Sequence, residues 1–208
     1  MLCGGCLWEL EFYETVRRRR SIRRFRPEGE VKEGVVRRLV EAANMAPSAG
    51  NSQPWRFIVA HDRVLLRRLA EVNTRFSRLA WEAFDSQTAR DIASRGGRWD
   101  KGYVAELPLV IVVCYQVGVK GIPDELMLAS TWCAIENLLL AATAEGLGSC
   151  PYTLYKGEDK AVKELFEVPN NYRVACIVHI GHTSEMPKPP PKREAEKIVG
   201  YNKFPKNR

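Results

Sequence analysis

The amino-acid sequence predicts an α+β fold on three observations. Apolar residues recur at helical spacing over several segments, short runs rich in β-branched residues lie between them, and no linker divides the chain. The helical spacing predicts helices over 9–20, 31–45, 64–72, 123–146 and 159–166. The segment 123–146 is apolar nearly all round, which is typical of a buried helix or of one at a subunit interface.

Four shorter segments carry the strand pattern. It predicts strands over 55–60, 107–115, 148–155 and 172–180. The run over 107–115 is continuously apolar, which predicts a strand buried on both faces. Trp55 opens the first strand and is expected to anchor it in the core.

We expect a single domain over 1–208. Within it, residues 1–8 form an N-terminal extension, 73–103 a candidate lid or insertion, and 183–208 an extended, proline-rich tail. An extended tail needs a surface to lie against, and an embracing homodimer would supply that surface.

Composition excludes several classes of protein. Hydrophobic residues make up 45% of the chain and the net charge is +7, but the basic residues form no broad face interleaved with aromatics, so we expect no nucleic-acid partner. The longest apolar run, 107–115, is far shorter than the roughly 20 residues of a membrane span. With no basic leader before an apolar stretch, the chain is expected to be cytoplasmic.

Six cysteines and three histidines offer little metal-binding pattern. Cys3 and Cys6 have the CxxC spacing, yet a second local pair is missing, so we predict no metal and leave open a disulfide or redox role. The other cysteines lie in apolar stretches and are expected to be buried thiols, including Cys150. The histidines lack partner spacing and are expected to be structural.

The segment 19–25, RRSIRRF, concentrates fixed positive charge. Arg19, Arg20 and Arg23 flank the hydroxyl of Ser21, and guanidinium groups match a phosphate in bidentate fashion. A solvated helix end is the structural alternative, because exposed arginines at such ends are common.

A second segment, 46–55, APSAGNSQPW, has the composition of a ligand-binding turn. Small residues let backbone amides approach a ligand closely, while Asn51 and Gln53 can exchange hydrogen bonds with the edge of a ring system. The alternative is an ordinary helix-to-strand turn, which is rich in the same residue types.

These two segments, in this order and this close together, resemble the flavin-binding motifs of the nitroreductase family. The resemblance extends over nearly the whole chain except 1–6 and 73–103, and includes the segments NLLLAA (137–142), GLGSC (146–150) and IGH (180–182). It implies a three-layer α-β-α sandwich that forms an intertwined homodimer, with FMN at each of two interface sites.

The resemblance also assigns residues to the cofactor. One subunit is implied to hold the phosphate, ribityl chain and ring edge through Arg19, Arg20, Ser21 and Arg23. The other is implied to contribute Pro47, Ser48, Ala49 and Asn51. The residues implied to lie against the flavin are Pro151, Tyr152 and Thr153. The basic pair of the tail, Lys192 and Arg193, is implied to close on the phosphate. On the long helix, Ser130 is the candidate for a polar residue that faces the flavin.

The activity so implied is that of an FMN-dependent oxidoreductase. NADH or NADPH would reduce the flavin and an electron-poor aromatic or quinone would reoxidise it, in a ping-pong cycle that needs no general acid from the protein. Arg23 is expected to stabilise the reduced flavin. Two alternatives stay open: an FMN-dependent reductive dehalogenase or flavin-fragmenting enzyme of the same fold, and a flavin-bearing redox sensor.

Overall fold

A computed structural model describes residues 12–26, 29–88, 90, 101–183 and 187–205. The helices named here are α1 (Phe12–Arg18), α2 (Glu33–Asn44), α3 (Arg63–Ala83), α4 (Asp124–Ala144) and α5 (Glu158–Leu165); residues 86–88 and 90 are also helical. Its strands are β1 (Trp55–Ala60), β2 (Leu109–Gln116), β3 (Gly148–Tyr152) and β4 (Tyr172–Gly181).

The four strands form one sheet in the order β1-β2-β4-β3, and every neighbouring pair is antiparallel. The outer strands are therefore β1 and β3. A short extended segment lies along part of β3, where Ser21 forms a parallel bridge with Ser149 and the Ile22 N–H donates to the Ser149 carbonyl at 2.9 Å.

Helices cover both faces of this sheet. Alternate residues of β2, such as Ile111 and Val113, pack in a cluster with α2 and α4, while Val110 and Val112 pack in a second cluster with α3 and α5. Because both faces are covered, β2 is buried and apolar from Leu109 to Tyr115, as the sequence predicted, and only its last residue, Gln116, is polar. The predicted α+β class and three-layer α-β-α architecture are confirmed.

Helix α4 is the core helix of the first layer. By length and composition alone it could cross a membrane, but it packs against α2 and against three strands of the sheet. Leu138 and Leu139 are buried, whereas Leu126 is half exposed and Ala129 and Cys133 are exposed. The helix therefore leaves one apolar stripe uncovered within a single chain.

Three predicted boundaries were wrong for identifiable reasons. Helix α1 ends at Arg18 rather than Arg20, because the chain turns there to pair with β3. Helix α3 continues well beyond residue 72, since polar side chains on its buried face interrupt the apolar pattern but find partners inside the fold. Strand β3 ends at Tyr152, where its pairing with β4 stops.

The tail and the 73–103 segment are described in part. Residues 73–83 belong to α3, and 101–103 lie at a 3₁₀ turn, Gly102–Glu106. The tail is exposed over 187–204 and is not wholly extended, because it contains a 3₁₀ turn at Ala195–Lys197. The N-terminal extension, with Cys3 and Cys6, lies outside the described residues.

Candidate functional site

The arginine segment is held between β3 and α4. Ile22 is buried against Gly148, where a Cβ atom would lie only 3.0 Å from the Ile22 side chain, so glycine permits this close approach. Arg19 Nε lies 3.0 Å from Glu136 Oε1 of α4. Arg20 Nη1 donates to the carbonyls of Arg17 and Arg19, both at 2.6 Å.

Arg23 reaches a cleft of about 350 Å³ between α3 and the end of β3. The three residues of the predicted flavin-facing segment, Pro151, Tyr152 and Thr153, line the same cleft. The structure therefore brings together residues more than a hundred positions apart in the sequence. Other lining side chains include the aromatics Trp81, Phe84, Tyr103 and Tyr155 and the cation Lys101.

The charge of this cleft is one-sided. Its lining contains Arg23 and Lys101, and none of the described lining residues is an aspartate or glutamate. Burial raises the pKa of the Cys150 thiol, although Arg23, Lys101 and Arg19 act in the opposite direction. Cys150 is therefore a buried thiol beside a cationic cleft, as predicted, rather than an activated nucleophile.

In the 47–54 loop, several residues have a left-handed backbone conformation, and hydrogen bonds join residues that are close in the sequence. The φ angles of Gly50, Asn51 and Gln53 are +59°, +52° and +43°. Ser48 Oγ accepts from the Gln53 N–H at 3.0 Å, and Gln53 Nε2 donates to Asn51 Oδ1 at 3.1 Å. Non-glycine residues in this conformation carry strain, which in folded proteins gathers at ligand sites.

Ser130 fixes this loop to α4. Its Oγ accepts from the Ala49 N–H at 3.1 Å and donates to the Leu126 carbonyl at 2.7 Å. Ser130 and Glu136 are six residues apart on α4, which corresponds to about 9 Å along the axis and about 120° around it. The loop and the arginine segment therefore contact different sides of α4 within one chain.

The remaining predicted site residues are exposed. Pro47 lies at the start of the loop. Lys192 and Arg193 lie in the exposed tail, and no hydrogen bond or ion pair of the described ranges involves either of them. Their contact with the phosphate of FMN was predicted for a homodimer, so the structure of a single chain does not test it.

A buried polar cluster lies beneath the cleft, and sequence reasoning missed it. Glu158 is completely buried, and its carboxylate accepts from Asn73 Nδ2 at 3.2 Å, from the Tyr155 N–H at 2.8 Å and from the Tyr152 hydroxyl at 3.0 Å. The Tyr152 hydroxyl also lies 3.0 Å from Ser77 Oγ. The only signal in the sequence was the pair of polar residues, Asn73 and Ser77, four apart in an otherwise apolar helix face.

Burial perturbs the titration of this cluster. It raises the pKa of Glu158 to about 7, against the lowering effect of its hydrogen bonds and of Lys101 and Arg75. Burial and the neighbouring Glu158 raise the pKa of the Tyr152 hydroxyl. Burial, with a smaller contribution from Lys101, lowers the pKa of His179 to about 3. His179 is therefore neutral, and it stacks on Tyr152 with the ring centroids 5.7 Å apart.

The four cysteines of the described residues carry free thiols. Burial raises the pKa of Cys114, Cys150 and Cys176, as expected for packed thiols. Cys133 differs from the prediction because it is exposed on the uncovered stripe of α4. Within the described ranges, no group of His, Cys, Asp and Glu is arranged to hold a metal ion.

Comparison with known proteins matches this arrangement to one family. The nitroreductase family model matches residues 16–182. The chain is 32% identical over 192 residues to an iodotyrosine deiodinase of Thermotoga neapolitana, covering 92% of this chain and 98% of the relative.

Two solved structures are similar along their whole length. A crystal structure of oxidized iodotyrosine deiodinase bound to FMN and 3-iodo-L-tyrosine has a TM-score of 0.82 and 29% identity, covering 93% of this chain and 100% of that one. An FMN-dependent nitroreductase of Clostridium difficile R20291 has a TM-score of 0.70 and 26% identity, covering 91% and 98%. With its family model matched over most of its length, this chain belongs to the nitroreductase family.

Proposed function

We propose that the protein is an FMN-dependent oxidoreductase that passes electrons from NADH or NADPH to a small electron-poor aromatic or quinone. The observation that carries this proposal is the convergence of Arg23 with Pro151, Tyr152 and Thr153 on one cationic, aromatic-lined cleft. The two similar solved structures, one described as bound to FMN and one as FMN-dependent, support the same cofactor here.

The chain's own residues fit FMN. Two polar atoms, Arg20 Nε in the arginine segment and Ser149 Oγ on the adjacent strand β3, are buried and have no hydrogen-bond partner among the described residues. Buried polar groups are rarely left without partners, so both invite a polar ligand. Arg19 and Arg23 add fixed charge suited to a phosphate and to an electron-rich ring.

Each part of the cleft has a chemical task in this proposal. FMN, when bound, supplies the hydride and electron transfer. Arg23 stabilises negative charge that develops in the cleft, because its guanidinium lines the cleft and is positioned in advance. Trp81 and Phe84 favour flat ligands and exclude water. Donor and acceptor would use this one cleft in turn, so we propose ping-pong kinetics.

We further propose a homodimer that completes the site. The uncovered stripe of α4 offers an apolar surface, and the tail carries the large apolar side chains of Ile198, Tyr201 and Phe204, which are exposed. A groove of about 860 Å³ runs beside the outer strand β1 and contains Val36, Val40 and Val59. A second copy would cover these surfaces and bring its 47–54 loop to the arginine segment.

An absorption spectrum and a sizing column test both proposals on the purified protein. We expect the near-ultraviolet and blue bands of oxidised FMN and the elution of a dimer. Colourless protein that does not take up added FMN and elutes as a monomer would contradict the proposal. Truncating the chain before Pro187 is expected to weaken FMN retention and dimerisation, and a fully occupied dimeric truncation would remove the tail from the site.

A reductive dehalogenase is the second candidate, favoured by the similarity to the deiodinase of Thermotoga neapolitana and to the deiodinase structure. Two measurements separate the candidates. Rapid anaerobic reduction of the bound flavin by NADH or NADPH supports the first. Iodide release from 3-iodo-L-tyrosine by the dithionite-reduced protein, with slow reduction by either nicotinamide, supports the second. In both cases we propose a cytoplasmic protein.

A further inference from the structure

The buried cluster beneath the cleft contains a chain of hydroxyl groups that ends at the cleft. Glu158 lies at its inner end and Tyr152 in the middle, and the lining residue Ser77 lies at its outer end. Each link is 3.0 Å long. The mechanism described above uses Tyr152 only as a lining side chain, so this chain of hydroxyls has no role in it.

The direction of the hydrogen bonds in this chain depends on one proton. When Glu158 is a carboxylate it can only accept, so Tyr152 donates to it and Ser77 donates to Tyr152. When Glu158 is protonated it can donate to the Tyr152 oxygen, Tyr152 then donates to Ser77 Oγ, and the Ser77 hydrogen is released towards the cleft. Hydroxyl hydrogens rotate freely between these two arrangements.

We propose that Glu158, acting through Tyr152, determines whether Ser77 offers the cleft a hydrogen-bond donor. The preferred ligands are then flat aromatic molecules with an acceptor oxygen, such as a nitro group or a carbonyl, bound while Glu158 is protonated. This proposal rests on the proposed function, whose acceptors have these groups. In this role Ser77 touches the ligand, and Glu158 and Tyr152 are positioning residues.

The surroundings of Glu158 permit this change near neutral pH. From α3, Asn73 donates to it and Arg75 contributes positive charge; Lys101 contributes more from the turn that precedes β2. The hydrogen bonds that its carboxylate accepts from described residues come from neutral donors: the Asn73 amide, the Tyr152 hydroxyl and the Tyr155 N–H. Burial accordingly keeps its pKa raised to about 7.

The other groups around Tyr152 lie outside the chain from Glu158 to Ser77. His179, stacked on Tyr152, stays neutral because burial lowers its pKa to about 3. The Tyr103 hydroxyl lies 3.0 Å from His179 Nδ1 rather than in the chain from Glu158 to Ser77. Lys101 lies over the face of the Tyr152 ring, with Nζ 5.4 Å from the ring centroid, and so also lies outside this chain.

The test measures binding of 4-nitroanisole, which accepts hydrogen bonds but neither donates nor titrates. Equilibrium dialysis against the oxidised protein, with no nicotinamide present, gives the dissociation constant between about pH 5.5 and 8.5. We expect binding to weaken about three- to ten-fold as the pH rises through the titration of Glu158, which is the effect of one lost hydrogen bond. The matched probe 4-chlorotoluene, with no acceptor, should bind equally at every pH.

Three variants alter the three members of the chain, one at a time. Glu158→Gln removes the proton, Tyr152→Phe leaves Glu158 titrating but breaks the connection, and Ser77→Ala removes the donor, so all three should bind 4-nitroanisole independently of pH. Glu164→Gln, on the exposed face of the same helix, should keep the wild-type dependence. Tyr152→Phe is decisive, because an electrostatic effect of Glu158 alone would survive it.

Several outcomes would overturn the proposal. These are a pH-independent dissociation constant in the wild type, no binding of 4-nitroanisole at any pH, the same dependence for both probes, or a dependence retained in Tyr152→Phe and Ser77→Ala. Flavin absorbance of the same samples tests the proposed function separately. A flavin-loaded protein without the pH dependence contradicts only this inference, and a flavin-free protein with it contradicts only the proposed function.

Discussion

The arginine segment with its 47–54 loop and the cluster around Glu158 are two polar regions built in opposite ways. The first consists of two short continuous segments whose hydrogen bonds are mostly local, as between Ser48 and Gln53. The second is assembled from single residues of α3, β3 and α5, and Asn73 and Glu158 are 85 positions apart. The first is partly open to solvent and strained, whereas the second is buried and almost fully hydrogen-bonded.

This difference in construction suits the two regions to different tasks, the first to binding a ligand and the second to adjusting the protonation and hydrogen bonding of the site. A contiguous segment presents several donors to one ligand at once, so its composition alone indicates a phosphate or a ring edge. A cluster gathered from distant elements modifies a site that already exists, by holding a proton or turning a hydroxyl. If this division is right, changes in the first region should act on cofactor binding, and changes in the second on pH dependence.

The largest effect should follow from Arg19→Ala combined with Arg23→Ala. Each charge-assisted contact to the cofactor is worth about 1.5–3 kcal/mol, so FMN binding should weaken by about 3–6 kcal/mol. Thermal stability should change little, because the ion pair of Arg19 with Glu136 is partly exposed. Flavin content after dialysis measures this. Arg18→Ala, which breaks an exposed pair with Glu14, is the control, and unchanged flavin content in the double variant would contradict the assignment.

The next effect concerns stability and pH in Glu158→Gln. The pKa of Glu158 is about 7 in the folded state against an ordinary value of 4.5, so the folded chain holds this proton more tightly. Its stabilisation is therefore complete below about pH 4.5 and is lost as the pH rises through 7, a change of about 3 kcal/mol. Urea unfolding from pH 5 to 8.5 should show this loss in the wild type. Parallel curves for the wild type and the variant would exclude the raised pKa.

A smaller effect is expected from Ser130→Ala. The Ala49 N–H would lose its acceptor, which should lower the free energy of unfolding by about 1 kcal/mol and loosen the loop. Thr143→Ala is a matched control, since the Thr143 hydroxyl makes the same bond to a carbonyl of its own helix but holds no loop. A lower FMN affinity in Ser130→Ala alone would link the loop to the cofactor, and equal losses in both variants would not.

The smallest effect should come from Gln53→Gly. Glycine tolerates the φ of +43° without strain but is more flexible when unfolded, so the net gain in stability should be about 0.5–1 kcal/mol. Glu167→Gly, at a φ of +53° outside the loop, should gain a similar amount. Calorimetry measures both gains. Only Gln53→Gly should lose FMN affinity, and an equal loss in Glu167→Gly would show that the loop is not special.

Much of the fold was predictable because its elements bury one kind of side chain. Strand β1 has the predicted bounds, and Trp55 is buried with its Nε1 donating to Asn44 Oδ1 at 3.0 Å. The β2 run was readable because helices cover both sides of it. These patterns depend only on periodicity, which a sequence displays directly.

The rest depended on contacts between distant residues. The length of α3 was missed because Asn73 and Ser77 look like surface residues until Glu158 and Tyr152 are seen opposite them. In the same way, Glu158 is the first residue of α5, where an acidic side chain is expected to be exposed to solvent. The left-handed backbone conformation of Asn51 and Gln53 was also not predictable from the sequence, since neither residue type requires it. The cofactor roles of the predicted site residues remain predictions for the experiments above.

The two edges of the sheet differ in a way that limits how copies of this chain could assemble. The backbone of Ser21 and Ile22 occupies part of the edge at β3, whereas among the described residues nothing pairs with the outer side of β1. A sheet whose two edge strands are both unpaired can add further copies of the chain at each edge and grow into an open filament, which natural proteins avoid. Because its own chain covers part of the β3 edge, only the β1 edge is open to a second copy. Pairing at that edge alone would give a closed dimer and would not continue into a fibre.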